Sequence, residues 1–169
     1  MLGKFGGNRF DSLIEKYCTQ YSLSFNLIKA IIKTESDFRE KAIRFEKDYR
    51  WFYSVKECAG IVGCTKAEME IMQKTSWGLM QIMGAVYYER MASRPKEMAK
   101  ADILFTPEIN IEFGCWIVRG IIDRKKTAIP DQVYDAYNSG RICPTDGNQK
   151  NVERFMEHYK NICEKIKLP

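Results

Sequence analysis

NLIKAIIKTESDF, residues 26–38, decides how the chain folds. Its apolar residues recur with a helical period, and Ser24 stands where an N-cap belongs. At about 100° per residue, Ile28, Ile31 and Ile32 fall within roughly 60° of Glu35, while Lys29, Lys33 and Asp37 fall elsewhere. A glutamate therefore shares the apolar face of a helix. A carboxylate leaving water resists ionisation. Such a group keeps its proton near neutrality, which suits a general acid. The alternative is that the helix ends near Lys33 and Glu35 points into solvent.

The remaining periodic segments are also helical. Phe10, Leu13, Ile14, Tyr17, Cys18 and Tyr21 form a stripe, with Ser12 and Glu15 spaced as a capping box. Residues 45–64 read as irregular. Thr65 and Glu68 form a second capping box, opening a helix to about Lys74. WGLMQIMGAVYYERMA, residues 77–92, reads as largely helical. Thr106 and Pro107 are an N-cap followed by proline at the first helical position. A short helix ends at Gly140, and a last one starts near Asn148 with Val152, Phe155, Met156, Tyr159, Ile162, Cys163 and Ile166 inward. No alternating strand of any length, internal repeat or low-complexity tract is present. The expected fold is all-α, a single domain over residues 1–169 with about seven or eight helices.

The 169 residues are 45% hydrophobic and 29% charged, as in an ordinary globular chain, which excludes a disordered one. A net charge of +5 favours a polyanionic partner such as nucleic acid, cell-wall polymer or a membrane surface, without choosing among them. The six cysteines contain no C-x-x-C pair and the lone histidine is His158, so no metal site and no cofactor are expected. Cys18, Cys115 and Cys163 fall on apolar faces, as buried thiols do; a Cys58–Cys64 disulfide stays open. The N-terminal stretch lacks the apolar core of a signal peptide, and no run approaches the ~18 residues of a membrane span. A monomer made in the cytoplasm, without membrane insertion, is the expectation.

Four stretches in order carry a resemblance: IKTESDF (32–38), WGLMQIMG (77–84), TPEINIEFGCWIV (106–118) and AYNSG (136–140). Together they resemble the catalytic segment, the G-L-M-Q signature, the P-x-x-N-I-x-x-G segment and the A-Y-N-[AS]-G motif of the SLT-type lytic transglycosylases, which have a goose-type lysozyme-like fold. The resemblance implies peptidoglycan glycan strands as substrate and Glu35 as the catalytic acid. It implies substrate-binding roles for Gln81, Tyr137 and Asn138, and for Ser76 just before the G-L-M-Q turn. Two features depart from short family members. An inserted segment covers about residues 46–74, and Gly84 replaces a proline that often follows the signature. Arg44-Phe45-Glu46 followed by aromatics, with SWGLMQIMG, looks like phage-encoded cell-wall lysins acting on the wall or periplasm.

The implied reaction breaks the β-1,4 bond between MurNAc and GlcNAc through an oxocarbenium-like transition state. With one carboxyl, Glu35 protonates the leaving oxygen and then serves as base while the muramic C6 hydroxyl closes onto C1, giving a 1,6-anhydro end. A hydrolytic muramidase instead needs a second carboxylate. Asp135 and Glu46 are the candidates, with surface or structural roles favoured for both; Asp37 lies about 160° from Glu35 on a continuing helix. A DNA-binding helix-turn-helix over residues 55–74 is the rival class. Glu68 and Glu70 in its second helix disfavour docking to phosphates, so no nucleic-acid partner is expected.

Overall fold

The computed structural model describes residues 8–139 and 148–167, with side chains to residue 165. The helix end at Gly140, the thiol of Cys143 and the inward position of Ile166 lie outside what is described. Among the described residues are eight α-helices and three short strands, consistent with an all-α lysozyme-like fold. The chain divides into two compact units, residues 1–38 with 111–169, and residues 39–110.

The first unit is helical. It contains α1 (Asp11–Tyr21), α2 (Phe25–Ser36), most of α6 (Pro107–Lys125), α7 (Pro130–Ser139) and α8 (Gln149–Lys167). Helix α2 packs against α1 and α8, and α8 also packs against α7. The stripe on α2 is buried as its spacing requires, with Ile28, Ile31 and Ile32 fully enclosed. Ser24 caps it by accepting from the Leu27 amide. Helix α2 continues past Lys33 to Ser36 and ends at Asp37, whose left-handed backbone points its amide back at the Lys33 carbonyl. Helix α8 contributes Phe155, stacked on Tyr134 of α7 with ring centroids 4.3 Å apart. A Lys29–Asp11 ion pair of 2.8 Å ties α2 to α1.

The expected Ser12–Glu15 capping box does not form. Helix α1 starts at Asp11, ahead of Ser12, after a turn in which the Asn8 side chain accepts from Phe10 N, Asp11 accepts from Asn8 N and the Asn8 carbonyl accepts from Asp11 N. Helix α6 does begin at Pro107 after an extended Thr106, whose carbonyl accepts from Asn110 N.

The second unit departs further from expectation. It holds α3 (Val55–Val62), α4 (Lys66–Gln73), α5 (Gly84–Met91) and an antiparallel sheet β1 (Ile43–Phe45), β2 (Thr75–Trp77), β3 (Ile82–Met83) in that order. Residues 55–62, expected to be irregular, are helical; the loop precedes them. Residues 77–83, expected to be helical, form a hairpin with Ser76 opposite Met83 and Trp77 opposite Ile82. Strands of two or three residues are too short to display alternation, so periodicity is blind to them. The Thr65–Glu68 capping box is fully formed. Gly84 lies so close to α4 that a Cβ there would stand 1.9 Å from the Met72 carbonyl oxygen.

Residues 46–74, expected from the resemblance to be an insertion, comprise the 46–54 loop, α3 and α4. The loop is fixed at both ends. Glu46 N donates to Lys74 O at 2.8 Å, extending the pairing of β1 with β2. The buried Gln73 amide grips the Tyr53 backbone, donating to its carbonyl and accepting from its N–H, both at 2.7 Å. Cys18, Cys58, Cys64, Cys115 and Cys163 are free thiols, which closes the question of a Cys58–Cys64 bridge.

Candidate active site

In the first unit, the last turn of α2 brings Glu35 against α7. The Tyr134 hydroxyl donates to Glu35 Oε1 at 2.9 Å, and Asn138 Nδ2 donates to the same oxygen at 3.3 Å. Tyr134 and Asn138 are four residues apart on one helix, hence on one face. Glu35 is half-buried, Tyr134 fully buried and Asn138 half-buried. Burial pushes the Tyr134 phenol far above its ordinary range, with the charge and hydrogen bond of Glu35 adding to the effect and Arg154 opposing it. Tyr134 is therefore a permanent donor at any physiological pH. Tyr137, half-buried and next to Asn138, is also pushed well up, first by desolvation and then by the charge of Glu35.

Tyr134 escaped the sequence reading, which settled on Tyr137 because the A-Y-N motif contains it. Helical spacing places Tyr134 one turn before Asn138, but nothing in the sequence marks it as a partner of Glu35.

Behind these groups lies a polar chain. Asn151 Nδ2 donates to Asn138 Oδ1 and to Asn148 Oδ1, each at 3.1 Å, and Asn148 Nδ2 donates to Asp135 Oδ1 at 2.8 Å. Asp135 is 6% exposed, and its Oδ2 is buried without a hydrogen-bond partner. Asp37 is exposed and pairs with Lys33.

In the second unit, Ser76 and Gln81 flank the G-L-M-Q loop. Ser76 is buried in β2, with its hydroxyl 3.5 Å from Glu46 Oε1 and 3.1 Å from Met83 Sδ. Glu46 is ion-paired to Arg44. Gly78 needs its positive φ of 73°, and a Cβ there would stand 2.3 Å from Asn110 Nδ2 and from the Leu104 carbonyl. Gln81 also has positive φ, 49°, which costs a non-glycine residue. Its own side chain offsets that cost by donating to the carbonyls of Gly78 at 2.9 Å and Ala42 at 3.1 Å. Asn110, fully buried, holds the loop from the other side. It accepts from Met80 N at 2.7 Å and donates to the carbonyls of Trp77 and Leu104 at 2.8 Å each. Asn110 is the asparagine of the P-x-x-N-I-x-x-G segment, and the glycine and glutamine of the signature shape the same loop.

Among the described residues, no group of three or more His, Cys, Asp or Glu is arranged to hold a metal ion, and no helix is long and apolar enough to cross a membrane. A family model described as the Transglycosylase SLT domain matches residues 12–159, most of the chain. No curated protein matches it.

Proposed function

From the premise that the chain belongs to the SLT transglycosylase family, whose members cleave peptidoglycan, we propose that it is a lytic transglycosylase with Glu35 as its single acid and base. The observation that carries this reading is the convergence of two donors, from Tyr134 and Asn138, on Oε1 of a half-buried glutamate. An oxygen accepting two hydrogen bonds has both lone pairs committed, so the acid proton sits on Oε2. Glu35 delivers that proton to the glycosidic oxygen between MurNAc and GlcNAc as the C1–O bond breaks. The negative charge left on the carboxylate is met by donors already in place, which require no reorganisation at that moment. The muramic C6 oxygen then bonds to C1, and its proton passes to Glu35. Atoms balance without water, and the enzyme returns to its starting protonation.

Transglycosylation is favoured over hydrolysis by the engagement of the three candidate second carboxylates. Asp135 is buried and bonded to Asn148, Glu46 is paired with Arg44, and Asp37 is paired with Lys33. Tyr137 and Asn138 line the sugar beside the scissile bond. Ser76 and Gln81 act on the substrate side through the signature loop, Gln81 chiefly by holding its shape. The molecule works as a monomer, and its +5 charge favours capture of an anionic wall. The Arg44-Phe45-Glu46 segment and its following aromatics support a lysin of phage type.

Glu35→Gln should abolish muropeptide release while the protein stays folded, and mass spectrometry of wild-type products should show anhydro ends, one water lighter than reducing ends. Reducing ends alone would make the enzyme a muramidase. A folded, active Glu35→Gln variant would remove Glu35 from the mechanism.

A further inference from the structure

We infer that Asn151, with Asn148 and Asp135 behind it, is a positioning element that fixes which end of the Asn138 amide faces Glu35. The inference builds on the proposed role of Glu35 but can be tested without it.

A primary amide has a donor end and an acceptor end of nearly equal shape, so sterics alone do not choose its orientation. In this chain the choice is forced link by link. The Asp135 carboxylate only accepts, and its Oδ2 is already buried without a partner. Turning Asn148 around would press a second acceptor against an oxygen pair short of donors, a costly arrangement in a buried site. Asn148 must therefore present Nδ2 to Asp135 Oδ1, at 2.8 Å, and Oδ1 to Asn151. Asn151 Nδ2 has two hydrogens, and its two acceptors, Asn148 Oδ1 and Asn138 Oδ1, use both. Asn138, accepting from Asn151, has only its Nδ2 left to offer Glu35. A carboxylate at one end thus sets an amide polarity that arrives at the other end as a donor. If Asn138 turned, its carbonyl oxygen would oppose Glu35 Oε1 and repel it whenever Glu35 is ionised.

The sequence carries the same logic. Asp135 and Asn138 share a face of α7 three residues apart, and Asn148, just ahead of α8, and Asn151, in its first turn, repeat that spacing. Two elements meet through matched polar pairs. Asn151 touches no reacting group, so it is a positioning residue and not a catalytic one.

Tyr134 and Tyr137 on α7 interact with the charge of Glu35, Arg154 on α8 acts on Tyr134, Cys115 on α6 acts on Tyr137, and Asp135 on α7 ends the amide chain. Asn151 is neutral, so replacing it changes none of their charges. The test is carboxyl-carbon NMR titration of Glu35, without substrate, in the wild type, Asn151→Ala, Asn151→Ser, Asn138→Ala and the Asn138→Ala/Asn151→Ala double variant. Losing a donor to the ionised form raises the midpoint. Asn151→Ala should move it upward by about half a pH unit or more. Asn151→Ser, with one hydroxyl hydrogen for two acceptors, should move it in the same direction and provides a milder cut at this half-exposed site. The double variant should match Asn138→Ala alone, because the effect passes through that side chain. In kinetics, kcat should fall about fivefold with KM unchanged. A folded Asn151→Ala or Asn151→Ser protein with an unmoved or lowered Glu35 midpoint overturns the inference, as does additivity with Asn138→Ala. These outcomes are separable from the catalytic assignment. An active Glu35→Gln protein sinks that assignment and leaves the titration result standing.

Discussion

At the scale of single residues, the proposed role of Glu35 turns on how its carboxyl is supported with and without a proton. Tyr134 contributes a hydroxyl that stays protonated, at 2.9 Å from Glu35 Oε1. Tyr134→Phe keeps the ring that stacks on Phe155 and removes only that donor. Its kcat should fall about tenfold or more with KM little changed, since a preorganised donor acts as charge develops. Its melting temperature should stay near that of the wild type. A Phe variant with wild-type kcat would show that the hydroxyl is a bystander. The half-buried place of Glu35 on α2 was hinted at by spacing, because a charged residue at an apolar helical position is an anomaly. Spacing also allowed a solvent-facing glutamate, and the role assigned to it came from the resemblance. Tyr134 had no such hint, because an aromatic on an apolar face is the ordinary state of a helix and carries no anomaly. Only the partner across the gap distinguishes it, and partners a hundred residues apart leave no periodic trace.

At the scale of elements, the G-L-M-Q loop is built by residues from three segments. Gly78 admits the close approach, Gln81 braces its own strained backbone, and Asn110 satisfies three backbone groups from the first turn of α6. Asn110→Ala would remove three buried hydrogen bonds, from the Met80 amide and to the Trp77 and Leu104 carbonyls. It should destabilise the protein by about 2 kcal/mol or more in denaturant unfolding, as each such bond contributes ~0.5–1.5 kcal/mol. A loss below about 1 kcal/mol would mean that the loop rearranges to find other partners. Helices with strong caps, α2 and α4, were readable to within a residue or two because their termini follow from side-chain chemistry. The β2–β3 hairpin was read as helix. Its strands hold three and two residues, and its turn depends on Asn110, which lies far along the chain.

At the scale of the whole molecule, His158 links stability to pH. Its ring accepts or donates at 3.0 Å from Thr34 Oγ1, on the helix that carries Glu35. Desolvation, then Lys33, lowers its pKa below the ordinary 6.5. The unfolded chain then binds more protons than the native one between the lowered value and 6.5, so stability rises with pH across that window. Unfolding free energy should therefore drop as pH falls below 6.5, and His158→Gln should flatten that part of the profile. An unchanged slope in the variant would assign the pH dependence to other groups. The mainly helical class was legible from periodicity, apart from α3 and the short sheet. The division of the chain into a discontinuous first unit and a continuous second one was not, because no composition shift marks residues 38–39 or 110–111. That interleaving has a consequence for biosynthesis. Translation delivers α2 with its isoleucines long before α8 exists to cover them, while residues 39–110 emerge as one uninterrupted stretch. The ribosome makes Glu35 early and Tyr134, Asn138 and Asn151 late. A nascent chain that has not yet reached α8 thus carries Glu35 and α7 without Phe155 stacked on Tyr134 and without Asn151 bonded to Asn138.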